Sequence, residues 1–171
     1  MRIQMKARAA ILAAAVIGTG LLGALPANAS SAYHPIYNYG SNLCLGVVAS
    51  SHNAGQYNCT GNADQQWTVI NEGAMYEIKN ENGDCLYVSG NSQQNGAQLK
   101  ASSSECTGTW QLGQWTYPGA SGAWTLNAYY TNSPLVAGIN AGSLKSGAEA
   151  VLWQHLSPAR TNQYWYSPGN W

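Results

Sequence analysis

The sequence predicts an all-β domain built from three copies of one repeat. Two observations carry that expectation. First, a glutamine-tryptophan motif recurs at near-equal spacing. Gln65-Gln66-Trp67, Gly113-Gln114-Trp115 and Gln163-Tyr164-Trp165 place their tryptophans 48 and 50 positions apart. A fixed period of this length marks a repeat architecture. Second, apolar residues alternate in short runs, such as Tyr76 and Ile78 and then Leu86 and Val88, separated by clusters of Gly, Asn and Ser. That pattern reads as short strands joined by polar turns. Three repeats of four strands give about twelve strands in a closed all-β architecture.

The segments follow in order. Residues 1–29 read as a secretory signal peptide: Arg2, Lys6 and Arg8 come first, Ala9 to Leu25 is apolar, and Ala27-Asn28-Ala29 offers small residues for cleavage. The apolar stretch is short and interrupted by Gly18, Gly20 and Gly23, unlike a membrane anchor. Residues 30–171 suit one domain, with repeats at about 33–67, 68–115 and 116–168. Cys44-Leu45-Gly46-Val47 opens the first repeat and Cys85-Leu86-Tyr87-Val88 matches it in the second. Gly96-Ala97-Gln98-Leu99 is echoed by Gly147-Ala148-Glu149-Ala150 in the third, which has no cysteine. Leu135 and His155 stand where that repeat's pair would be.

Beyond residue 29 the chain keeps four basic residues, Lys79, Lys100, Lys145 and Arg160, against seven acids, for a net charge of −3. Four scattered cations do not make the basic face that nucleic acid requires. No later segment is long and apolar enough to span a membrane. The expected product is therefore a secreted, soluble monomer. Seven Trp and eleven Tyr argue against disorder. Disulfides persist outside the cytoplasm. Four cysteines allow three pairings; the spacing favours Cys44–Cys59 and Cys85–Cys106, each inside one repeat. Each closed loop would contribute roughly 3 kcal/mol.

The Cys-Leu-x-Val start, the Gly-x-x-Val/Leu middle and the Gln-x-Trp end resemble the ricin-type lectin repeat over nearly all of residues 33–168. The resemblance implies a β-trefoil, in which Gln65, Trp67, Trp115, Gln163 and Trp165 hold the fold rather than contact ligand. It also implies a sugar pocket in each lobe. There an aromatic ring lies two residues before the second Cys, a carboxylate two residues after the first, and a polar group just before the Gln. In the first lobe these positions are Tyr57, Gly46 and Asp64. In the second they are Ser104, Tyr87 and Leu112, a blind lobe. In the third they are Trp153, about Ala137, and Asn162. Two lobes thus keep an aromatic and a polar group, and none keeps the carboxylate. Losing that charge-assisted hydrogen bond costs roughly 1.5–3 kcal/mol, about tenfold to a hundredfold in affinity. Asp64 or Glu149 is a candidate substitute. Trp153 is the favoured platform; its competing reading is a half-buried rim aromatic that closes the third lobe in place of a disulfide.

Trp124 falls at an inward apolar position and reads as core. Trp110 and Trp171 have no role under the resemblance. Glu77, Glu81 and Asp84 form the one local acid cluster, on or near a strand-turn whose ordinary explanation is a solvated face. A glycosidase needs two carboxylates across a cleft, and no nucleophile elbow, phosphate loop or metal spacing is present. His34, His52 and His155 are far apart in sequence. The expectation is a non-enzymatic, carbohydrate-binding protein with a glycan or polysaccharide partner, no cofactor and no metal. The alternative is a secreted protein-binding module or protease inhibitor of the same fold. The stretch from Gly119 to Gly122 could serve as its binding loop.

Overall fold

The computed structural model describes residues 33–71, 76–106, 112–116, 122–128, 135–156 and 160–168, and only the backbone of residues 71, 112–116 and 128. The expected leader at residues 1–29, Trp110, Trp171, residues 119–121 and the side chain of Trp115 lie outside the described residues. Thirteen strands and a few 3-10 turns make up the described chain. After a short β1 (His34–Pro35), the first repeat supplies β2 (Tyr37–Asn38), β3 (Cys44–Val47), β4 (Ala54–Tyr57) and β5 (Gln66–Asn71). The second supplies β6 (Tyr76–Asn80), β7 (Cys85–Val88), β8 (Ala97–Ser102) and β9 (Leu112–Thr116). The third supplies β10 (Thr125–Ala128), β11 (Leu135–Ile139), β12 (Ala148–Gln154) and β13 (Trp165–Tyr166).

The strands join antiparallel neighbours into one continuous sheet. Within each repeat the second and third strands form a hairpin: β3 with β4, β7 with β8, β11 with β12. Between repeats the pairing is cyclic. Asn53 faces Lys100, Gln98 faces Val151, and Glu149 faces Gly55. The first repeat thus meets the second, the second the third, and the third the first. That closure leaves the hairpins without free inner edges. Gln98 marks the centre. Its Nε2 lies 3.1 Å from Ala54 O, 2.8 Å from Leu99 O and 3.0 Å from Ala150 O, one equivalent carbonyl from each repeat.

Inward residues of the hairpins and of the segments that precede them build the core. Ile36, Ile78 and Leu126, then Leu45, Leu86 and Ala137, then Ala54, Leu99 and Ala150 contribute one member per repeat, and all are buried. Trp67, Trp124 and Trp165 are also buried. A buried indole N–H needs an acceptor. Trp67 Nε1 donates to Leu45 O at 2.9 Å, and Trp165 Nε1 donates to Ala137 O at 3.0 Å. Each motif glutamine stitches the turn before it. Gln65 Oε1 accepts from Thr60 N at 2.8 Å while its Nε2 donates to Asn58 O at 3.1 Å. Gln163 repeats the pattern with Leu156 N at 3.1 Å and Gln154 O at 2.8 Å. These bonds tie all four residues to the backbone of their own repeats.

Both expected disulfides form, Cys44–Cys59 with Cα atoms 5.2 Å apart and Cys85–Cys106 at 5.1 Å. The expected solvated face of the acid cluster holds for Glu81, which is exposed, but not for Glu77. Glu77 is buried, with its carboxylate near the Cys85 and Cys106 sulfurs. It lies on the strand face opposite the core residue Ile78, where the disulfide covers it. The bonded sulfurs have no thiolate to offer, so this trio makes no metal site.

Candidate functional site

The hydrogen bonds of the two motif glutamines fix which residues correspond between the first and third lobes. Asn58 and Gln154 both accept from the glutamine amide, so Tyr57 and Trp153, one residue earlier, are equivalent. The indole acceptors Leu45 and Ala137 are likewise equivalent. The next residue is the vacated acid position, which makes it Gly138 in the third lobe rather than Ala137. The Cys44 position falls one earlier, on Val136 rather than Leu135, while His155 does match Cys59. Strand register corrects the second lobe too. Cys44 faces Tyr57 and Cys85 faces Ser102, so the platform position there is Ser102, not Ser104. A 3-10 turn at Ser103–Glu105 lengthens the path to Cys106 and throws off a count taken from the cysteine.

In the third lobe, Trp153 projects from β12 and is 41 % exposed. Gly96, from the second repeat, lies behind it: a Cβ there would be 3.7 Å from the indole. Trp153 borders a cleft of about 370 Å³ with Asn140, Ala141, Gly142, Arg160 and Asn162. Such a volume is within the range of small-ligand sites. Asn162 is held by its Nδ2, which donates to Ile139 O at 2.9 Å. Gly138 opens the floor beneath it, because a Cβ there would come within 3.1 Å of Gln163 Cγ and 3.6 Å of Asn162 Nδ2. Ala141 takes a left-handed φ of 54°, where the second repeat has Gly90 at 61°. A residue with a Cβ held there costs about 1–2 kcal/mol.

The first lobe brings Tyr57 and Asp64 together differently. A Cβ on Gly46 would lie 3.0 Å from Tyr57 Cδ2 and 3.4 Å from Asp64 Oδ2. A Cβ on Gly55 would lie 3.0 Å from the Tyr57 hydroxyl oxygen. The phenol ring therefore lies down over two glycines, and the Asp64 carboxylate reaches the space a side chain at 46 would fill. Burial, then the Glu149 and Asp64 carboxylates, push the Tyr57 phenol above its ordinary pKa of 10.0. In the second lobe Tyr87 itself fills the acid position, and burial followed by the Glu105 charge raises its phenol too.

Sequence reasoning singled out Trp153, Asn162, Tyr57 and Asp64, and the structure pairs them as two sets, one per lobe. It did not find Arg160 or the Asn140–Gly142 turn, which reach the Trp153 cleft only through the fold. A basic residue two positions before Asn162 is a signal that could have been read. Asp64 has no such basic neighbour.

A closed, threefold, antiparallel barrel with lobe pockets on its hairpins defines a β-trefoil. Residues 24–102 match the model of the ricin-type β-trefoil lectin-like domain family. Over this stretch the sequence is similar to that family, and the described residues carry the β-trefoil fold through the third repeat. No curated protein matches the sequence. Among solved structures, a designed threefold-symmetric protein, ThreeFoil, superposes with a TM-score of 0.71 at 24% identity, covering 81% of this chain and 99% of that one. The ricin B-like lectin of Macrolepiota procera, solved with lactose, gives 0.65 at 16% identity over 79% and 93%. An exo-β-1,3-galactanase from Clostridium thermocellum gives 0.66 at 21% identity, covering 81% of this chain but only 30% of that one. At these identities the likeness concerns the fold.

Proposed function

We infer that this is a secreted, non-enzymatic carbohydrate-binding protein whose principal site is the third-lobe cleft. One observation carries the reading: an exposed indole and a fixed side-chain amide border the same cleft. A pyranose has an apolar C–H face and a rim of hydroxyls, which suits an aromatic face edged by a few fixed polar groups. Trp153 supplies the face. Asn162, tethered through its Nδ2, turns Oδ1 into an acceptor, and the Arg160 guanidinium adds donors. Tyr57 and Asp64 form a second, shallower subsite in the first lobe, where Asp64 substitutes for the carboxylate lost at Gly46. Export rests on the leader-like residues 1–29 and is supported by the two disulfides.

A glycan array tests this. The intact protein is expected to bind at least one glycan, and Trp153→Ala to lose most of that signal while staying folded. A blank array with the intact protein would sink the reading and favour the protein-binding alternative. Asp64→Ala with unchanged binding would remove Asp64 from it.

A further inference from the structure

The geometry points to a second carbohydrate site outside the lobe pockets, in the cleft where β2 meets β13. This cleft, of about 620 Å³, is bordered by Tyr39, Asn42, Gly122, Tyr166 and Ser167. Three tyrosines organise it. Tyr37 and Tyr166, register partners on β2 and β13, stack with centroids 5.0 Å apart and planes 19° apart. Tyr39 stands nearly perpendicular to Tyr166, at 84° and 6.2 Å, and is 45 % exposed. The stack covers one face of Tyr166 and fixes the ring, so the platform is formed before any ligand arrives. A rigid platform loses little entropy on binding.

The polar edge is as well defined. Asn42 sits in a turn at a φ of 58°, which asparagine tolerates. Its backbone N–H donates to Asn38 O at 2.8 Å, and its Oδ1 accepts from the Tyr166 hydroxyl at 3.2 Å. With Oδ1 so engaged, the amide presents its two N–H donors to the cleft. Among the described residues, none that borders the cleft is charged. An aromatic corner with an oriented neutral donor selects a neutral, polyhydroxylated ring rather than an anion or an apolar peptide. The ligand class is a neutral pyranose within a glycan. The segment 160–167 serves both sites, with Asn162 at the third-lobe cleft and Tyr166 at this one. One glycan-bearing surface could therefore be held at two points, which raises avidity without new contacts.

The test is an amide-resolved NMR titration of Trp153→Ala protein with methyl β-galactoside, methyl β-glucoside and N-acetylglucosamine. Removing Trp153 first separates this site from the third lobe, whose own failure would read out at Ile139 and Asn162 instead. At least one sugar is expected to shift the amides of Asn42, Gly122 and Tyr166. Adding Tyr39→Ala should weaken that binding about tenfold, and Asn42→Asp should weaken it while keeping the Tyr166 hydrogen bond. Absence of shifts at these amides with all three sugars overturns the proposal. So does binding that is unchanged in both added variants.

Discussion

The first and third lobes share a backbone plan and differ in what fills it. Each has a motif glutamine stitching a turn, an indole bonded to the strand below, a glycine where the family places its acid, and an aromatic two residues before the second-cysteine position. In the first lobe that aromatic is a tyrosine lying over Gly46 and Gly55, flanked by the Asp64 and Glu149 carboxylates. In the third it is a tryptophan standing 41 % exposed beside a cleft that Arg160 also borders. The third-lobe residue equivalent to Gly55 is Val151, which is buried and borders the same cleft as Trp153. The ring that lies over its own strand has a glycine at this position, and the ring that stands exposed has a valine. The charge around the ring changes sign as well, acidic in the first lobe and basic in the third.

The largest expected effect tests what the lobes share. Trp67→Ala and Trp165→Ala should each cost about 3–5 kcal/mol of stability, because each removes a buried indole and strands a carbonyl. Urea unfolding of the two variants checks this. A cost at one site but not the other would break the equivalence of the lobes.

The next tests how each lobe is tied. Replacing Cys44 and Cys59 by Ala should lose about 3 kcal/mol. If Val136 and His155 are the true equivalents, the pair Val136→Cys with His155→Cys should form a disulfide and gain a similar amount. It would also remove the His155 Nε2, which is buried without a hydrogen-bond partner among the described residues. Thiol titration and oxidised-versus-reduced unfolding report the result; two free thiols would contradict the register.

Smaller still is the binding difference. Trp153→Ala should weaken glycan binding about tenfold to a hundredfold, roughly 1.5–3 kcal/mol, whereas Tyr57→Ala should weaken it only severalfold. Calorimetric titration with a glycan found by the array ranks the two, and a larger loss at Tyr57 would reverse the assignment of the principal site.

The smallest effect is electrostatic. The Tyr57 phenol should ionise above 10.0, and Asp64→Asn should lower its pKa, though not to the ordinary value, since burial is the larger cause. Because the folded-state pKa is raised, its contribution to stability is complete below pH 10 and fades as pH rises through the folded value. Ultraviolet difference titration of the two proteins reads the shift. No movement on Asp64→Asn would mean that the carboxylate does not face the ring.

By itself the sequence determined the threefold repeat, the all-β class and the disulfides. Those features are periodic, and periodicity survives without coordinates: a side chain that recurs at one spacing faces one core. The same reading placed Trp153 beside Asn162 and Tyr57 beside Asp64, because the motif anchors lie close in sequence. It slipped where an anchor was missing or the path between anchors changed length. Without cysteines, the third lobe's acid position was read at Ala137 and is Gly138. The turn at Ser103–Glu105 displaced the second lobe's platform from Ser104 to Ser102. Only the tertiary structure decided which ring is raised and which lies flat, since the Tyr57 ring lies over Gly46 across the hairpin as well as over Gly55 on its own strand. It alone assembled Tyr37, Tyr39, Asn42 and Tyr166 into a second cleft, because that cleft joins the first repeat to the last, and barrel closure is what brings them together.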